Sequence, residues 1–169
     1  MEVIRAPWRI DYINANKDSD SENACIFCLY PTQNEDADNL IIARGETCFA
    51  MLNKFPYSNG HILIAPYRHT SNITSLSDPE KLELMSFSQY AVNALKTVMD
   101  PGGFNLGINL GKIAGAGIDQ HMHLHVVPRW NGDTNFMSVT AETKVLPEAL
   151  SATQTKLANA WQSTNHTVS

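Results

Sequence analysis

The chain has 169 residues, 43% of them hydrophobic, and a formal net charge of −5. That length and apolar content correspond to one domain, 1–169, with one sizeable core, and the acidic balance excludes the broad basic footprint that nucleic-acid binding requires. No stretch is apolar for long enough to span a membrane, and Met1–Asp11, with Glu2, Arg5, Arg9 and Asp11, has no signal-peptide core, so neither nucleic acid nor membrane is an expected partner and the expected address is the cytoplasm.

In chain order, 14–23 and 31–39 are polar, without apolar periodicity, and read as loops, so that 1–39 is partly loop. Between them stands Cys25-Ile26-Phe27-Cys28. In a reducing compartment a disulfide framework is not expected, and the pair reads as a metal site, a redox pair or a coincidence. Strand patterns follow at Leu40–Ala43, Thr47–Leu52 and His61–Ala65, separated by turns at Arg44-Gly45-Glu46 and Pro56–Gly60, which predicts an antiparallel meander. Cys48 falls inside the second strand as a small core residue.

Ser77 or Asp78 is placed to cap a helix with Pro79 in its first turn, and Leu82, Met85, Ala91, Ala94, Leu95 and Val98 recur at mostly helical spacing up to Pro101-Gly102-Gly103. A strand at Phe104–Leu110, a glycine-rich loop at Gly111–Gly117 and a strand at His121–Val127 come next. A second amphipathic helix from Pro147 puts Leu150, Leu157 and Trp161 on one stripe, ahead of a tail over 163–169 expected to fray. Strands, one long helix and a further strand pair predict an α+β domain with helices over one face of an antiparallel sheet.

The chemistry concentrates in His121-Met122-His123-Leu124-His125-Val126-Val127. Strand side chains alternate between faces, so the three imidazoles share one face while Met122, Leu124 and Val126 point into the core. Neighbouring imidazoles lower one another's pKa by repulsion, which favours neutral rings near neutral pH. Such a face suits a metal centre or a phosphoryl-transfer site in which a ring nitrogen attacks phosphorus. The surroundings favour the second: Asn109-Leu110-Gly111-Lys112-Ile113-Ala114-Gly115-Ala116-Gly117 can bring backbone N–H groups to an anion, and Arg129 follows the strand.

These residues resemble the histidine-triad family, whose signature is His-x-His-x-His followed by two apolar residues. The resemblance extends to Ala6-Pro7-Trp8-Arg9, Asn53 ahead of Pro56, Gly60-His61, Pro66-Tyr67-Arg68-His69, Asn109-Leu110-Gly111 and 128–136, the last stretch resembling the branch of diadenosine tetraphosphate phosphorylases and related dinucleoside polyphosphate hydrolases. It implies a five-stranded antiparallel sheet with one long helix and a C-terminal helix, a homodimer, and a nucleotide substrate handled through a covalent nucleotidyl-histidine. By the same resemblance His123 is the nucleophile, His125 contacts phosphate and leaving group, and His121 orients. Asn53, His61, Asn109, Gly111, Gly115, Gly117, Arg129 and Trp130 surround the nucleotide. Ala116-Gly117 departs from the Gly-Gln or Gly-Ser that many members carry, which removes a side-chain contact to the phosphate bridge.

The resemblance also implies a Cys2His2 zinc site of Cys25, Cys28, His69 and His121, found in a subset of the family. Four N/S ligands close a tetrahedral structural site. No metal is needed for the chemistry, although a divalent cation can accompany a polyphosphate substrate. Hydrolysis and phosphorolysis differ only in the second acceptor. Other readings are cleavage of nucleoside phosphoramidates or adenylated conjugates, a nucleotide-binding module with little turnover, and a metal-storage or metal-sensing protein.

Overall fold

Aliphatic runs punctuated by turns form five strands: β1 (Ile41–Arg44), β2 (Cys48–Leu52), β3 (Ile62–Pro66), β4 (Gly103–Ile108) and β5 (Leu124–Arg129). The computed structural model describes residues 25–133 and 148–165, so 6–9, the loop 14–23 and the end of the 128–136 stretch lie outside the described residues. Among the described residues the α-helices are α1 (Ile26–Leu29), α2 (Asp78–Met99) and α3 (Leu150–Asn165). The strands form one sheet in the order β1-β2-β3-β5-β4, each neighbouring pair antiparallel. The meander β1-β2-β3 is as expected from the sequence, and β5 is inserted between β3 and the edge strand β4.

Both faces of the central strands are covered, and every residue of β2 and β3 is buried. On one face Cys48, Ala50, Leu52, Ile62, Ile64 and Val126 meet α2 and α3, with Trp161 against Phe87 at 5.2 Å between ring centroids. On the other face Phe49, Met51, Leu63 and Ala65 meet Phe27 of α1. Period-2 alternation sends successive side chains to these two layers.

Helix α2 starts as the sequence predicts. The Ser77 side chain accepts from the Glu80 N–H, and the Glu80 carboxylate accepts from the Ser77 N–H, a complete capping box. It ends at Asp100, in a left-handed conformation (φ 45°) just before Pro101. Its buried stripe, however, runs through Leu84, Phe87, Ser88, Ala91, Ala94 and Leu95, whereas Leu82 and Met85 are 71% and 59% exposed. Those two apolar side chains were expected to pack, but they lie on the face turned away from the sheet. The C-terminal helix buries Leu157 and Trp161 as expected, leaves Leu150 only half-buried and runs to Asn165; the expected tail beyond it, 166–169, lies outside the described residues.

Several strand boundaries differ: Leu40 and His61 precede β1 and β3, and β4 runs Gly103–Ile108, short of Asn109 and Leu110. Thr47 precedes β2, and β5 starts at Leu124, so His121 and His123 lie ahead of the strand. Their segment lacks a ladder partner because β3 pairs with β5 only over Ile62–Ile64, and Pro66, which ends β3, has no N–H to give. The Met122 N–H instead donates to the Thr70 carbonyl at 2.7 Å. No helix among the described residues is long and apolar enough to cross a membrane.

Candidate active site

The alternation across 121–126 survives the missing ladder. Met122 and Val126 are buried in the helix-side core and Leu124 packs on it, while the three histidines turn to the opposite face. That face is covered: His121, His123 and His125 are 0%, 5% and 9% exposed, with Phe27 of α1 against the rings of His121 and His123, and Tyr57 and His61 against that of His125.

Each ring has its tautomer set by its partners. The Nδ1 of His123 lies 2.8 Å from the His121 carbonyl. A carbonyl only accepts, so Nδ1 carries the proton and Nε2 holds the lone pair. The Nε2 of His121 likewise donates to the Pro66 carbonyl at 2.8 Å, which leaves its Nδ1 lone pair directed at the Cys25 and Cys28 sulfurs, 3.4 and 3.5 Å away.

His125 is governed by a longer chain. The Tyr57 N–H donates to His61 Nδ1 at 3.1 Å, and Asn53 Nδ2 adds a second bond to the same nitrogen at 3.2 Å. His61 Nε2 therefore carries the proton and donates to His125 Nδ1 at 2.9 Å, which places the His125 proton on Nε2. The cluster thus holds one ring with a nucleophilic Nε2 beside one with a donating Nε2, their centroids 4.8 Å apart. The turn that presents His61 depends on Gly60, at φ +76° with Leu95 and Met99 pressed against it.

Burial first, then the charges of His69 and His123, push the His121 pKa down to about 4, against the opposing effect of the Pro66 carbonyl. Burial also lowers that of His123, against the bond to the His121 carbonyl. The direction is the one expected from the sequence, but its main cause is desolvation rather than repulsion between rings.

A cleft of about 390 Å³ is lined by His125 together with Tyr57, Asn105, Gly107, Asn109 and Val127. Gly107 is the cross-strand partner of His125, and a Cβ there would meet nothing within 4 Å. Arg129 and Asp133, paired, also line the cleft, with Arg129 Nη1 donating to Asn105 Oδ1 at 2.9 Å. Of the residues expected around a nucleotide, His125, Asn109 and Arg129 line this cleft. Asn53 and His61 stand behind His125 in its hydrogen-bond chain, and Trp130 is half-buried with its N–H toward Asp133.

The glycine loop differs from expectation. It closes as a 3-10 turn, Lys112–Ala114, with Gly111 and Gly115 both at positive φ. The N–H groups of Ala114 and Ala116 donate to the Gly111 carbonyl at 3.2 and 3.3 Å, and that of Gly115 to the Lys112 carbonyl at 3.0 Å. Those three amides are engaged within the loop.

Cys25, Cys28, His69 and His121 converge, their ligand atoms all within 4.8 Å of one another, with Cys28 Sγ 3.2 Å from His69 Nδ1. Tetrahedral zinc with its usual bond lengths requires S···N separations of about 3.6 Å, and two thiols with two imidazoles are its preferred donors. The residues fit zinc, and the Pro66 carbonyl acts as the outer partner that orients His121.

A family model for the HIT domain matches residues 34–132. The chain belongs to the histidine-triad (HIT) family. An AP-4-A phosphorylase from Mycobacterium tuberculosis is 41% identical over 166 residues, covering 95% of this chain and 85% of that one. Among solved structures, a zinc-bound histidine triad family protein from Mycobacterium smegmatis superposes with a TM-score of 0.68 at 24% identity, covering 86% of this chain and 99% of the other. Plasmodium falciparum diadenosine triphosphate hydrolase superposes with a TM-score of 0.60 at 17% identity, over 94% and 99% of the two chains. The two likenesses establish that the HIT fold is shared.

Within this HIT domain several site residues escape sequence reasoning, Asn105 and Gly107 of β4 among them. Tyr57 lines the cleft with its ring stacked on His125 at 5.8 Å and 14°, yet it sits in what reads only as a turn. Asp133 holds Arg129, four residues away, a spacing with no meaning outside a helix until the loop is seen to fold back.

Proposed function

We propose that this HIT protein transfers a nucleotidyl group from a dinucleoside polyphosphate such as diadenosine tetraphosphate to inorganic phosphate, with His123 as the transient carrier. The observation that carries it is the His121 carbonyl on His123 Nδ1, which leaves Nε2 as a neutral nucleophile. Nε2 attacks the α-phosphorus, a phosphorus–nitrogen bond forms, and the bridging oxygen departs with the remaining nucleotide. His125 Nε2–H, held by the Tyr57–His61 chain, donates to the phosphoryl or departing oxygen. Phosphate oxygen then attacks the adduct, displaces His123 and yields a nucleoside diphosphate. Asn53 acts through His61, and Arg129 with Asn109 contacts the substrate along the cleft.

The Mycobacterium tuberculosis relative favours phosphate over water as second acceptor. Incubation with diadenosine tetraphosphate decides it. ADP formed only when phosphate is present supports phosphorolysis, whereas AMP formed without phosphate makes the protein a hydrolase.

Zinc held by Cys25, Cys28, His69 and His121 would supply structural cross-linking and no catalytic step. Their reduced thiolates suit the cytoplasm expected from the sequence. A homodimer is supported by the outer strand β4, where Asn105, Leu106 and Gly107 are exposed beside the cleft and, among the described residues, no strand pairs with the outer edge, which invites a second copy.

A further inference from the structure

Phe27, between the two cysteines, is the buried residue of α1 and is 1% exposed. Its ring lies 4.7 Å from that of His123, tilted 31°, and 5.2 Å from that of His121, tilted 50°. Phe49, Met51 and Leu63 back it from the sheet. It has no place in the lining of the cleft.

A histidine ring turns about a broad, nearly two-fold torsion, and one hydrogen bond at Nδ1 does not by itself prevent pivoting. What restrains it is a body packed against its face. Phe27 is that body for His123. A four-residue helix has no stability of its own; α1 is located by Phe27 in the apolar layer and by two sulfurs meeting His69 and His121.

We infer that Phe27 is a positioning residue for His123: its ring keeps the imidazole where Nδ1 meets the His121 carbonyl, and the Cys25–Cys28 turn keeps Phe27 in place. The inference rests on His123 being the nucleophile. It makes the metal clip part of the active centre through packing and the His121 backbone, with no chemistry at the metal.

The test uses the full chain reconstituted with zinc, comparing wild type, Phe27→Ala and Phe27→Leu with diadenosine tetraphosphate and phosphate as substrates. Misplacement of a reacting group by about 1 Å lowers rate by about 100-fold, so kcat of Phe27→Ala is expected to fall between about 10- and 100-fold. KM and zinc content stay at wild-type values, and Phe27→Leu, which refills most of the volume, recovers part of the loss. Nitrogen NMR of labelled histidine, assigned by loss of signal in His123→Ala, gives a readout independent of turnover. Wild type shows one neutral His123 tautomer with the proton on Nδ1, and Phe27→Ala shows an averaged ring.

Wild-type kcat with unchanged ring signals in Phe27→Ala overturns the inference. So does a kcat loss that follows zinc loss and returns when zinc is added. If Phe27→Ala does not fold, Phe27→Leu decides, and wild-type kcat and ring signals there overturn it. Retained turnover in His123→Ala refutes the nucleophile itself, while the ring signals still judge what Phe27 does.

Discussion

At His123 a single backbone carbonyl selects which nitrogen can attack, and at His125 a chain that begins with the Tyr57 N–H selects which can donate. The sequence shows the three histidines because strand alternation has period two. It cannot show the tautomers, since each depends on a carbonyl or amide brought in by tertiary folding. Gly107 makes a sharp test at this scale. A side chain there points from the cross-strand partner of His125 into open space, so the fold tolerates it while the cleft does not. Gly107→Val is expected to unfold at a Tm close to that of wild type and to raise KM for diadenosine tetraphosphate by about tenfold, in line with the discrimination a few methyl groups produce in a pocket. Steady-state kinetics beside a thermal melt checks both halves.

Among the elements, α2 is fastened to the sheet by two carboxylates. Glu83 accepts the N–H groups of Glu46, Thr47 and Cys48 at 2.9, 2.6 and 2.7 Å and the Thr47 hydroxyl at 2.6 Å; burial works to raise its pKa, and these bonds, that of the hydroxyl foremost, hold it low. Glu80 pairs with Arg68 at 2.8 Å, and that bond, aided by Ser77, lowers its pKa from 4.5 to about 2. A depressed carboxylate pKa contributes stability that is fully present above the unfolded value and is lost as pH falls toward the folded one. Stability should therefore decline from about pH 4.5 toward pH 2, and Glu80→Gln should flatten that decline in chemical denaturation at a series of pH values. The helix start was legible at Ser77 or Asp78 because a cap is local; Ser77 takes the role, with Glu80 completing the box. Leu82 and Met85 misled because apolar spacing marks a helical stripe without saying which stripe meets the sheet. The start of β5 was misplaced because strand patterns in His121 to His123 do not reveal that Pro66 has ended the neighbouring strand.

For the whole molecule, the HIT architecture was legible in motifs spread along the chain, and the expected Cys2His2 set already brought the Cys25–Cys28 turn to His121; the packing of Phe27 on His121 and His123 was not legible, since nothing local in that turn says which way its aromatic ring faces. Two expectations follow from the assembled chain. Metal analysis after reducing, chelator-free purification should find about one zinc per chain, the capacity of one Cys2His2 set, and Cys25→Ser should lower Tm; substoichiometric zinc contradicts the clip. Light scattering at micromolar concentration should give a dimer, and a monomer contradicts pairing along β4. The central claim is covalent transfer through His123, and trapping the intermediate tests it most directly. The protein is incubated with diadenosine tetraphosphate without added phosphate, quenched in alkali to preserve a phosphorus–nitrogen bond, and peptide-mapped by mass spectrometry. The account predicts an acid-labile adenylyl adduct on His123, absent from His123→Ala, which still binds nucleotide; an adduct on His121 or His125, or undiminished turnover in His123→Ala, contradicts it.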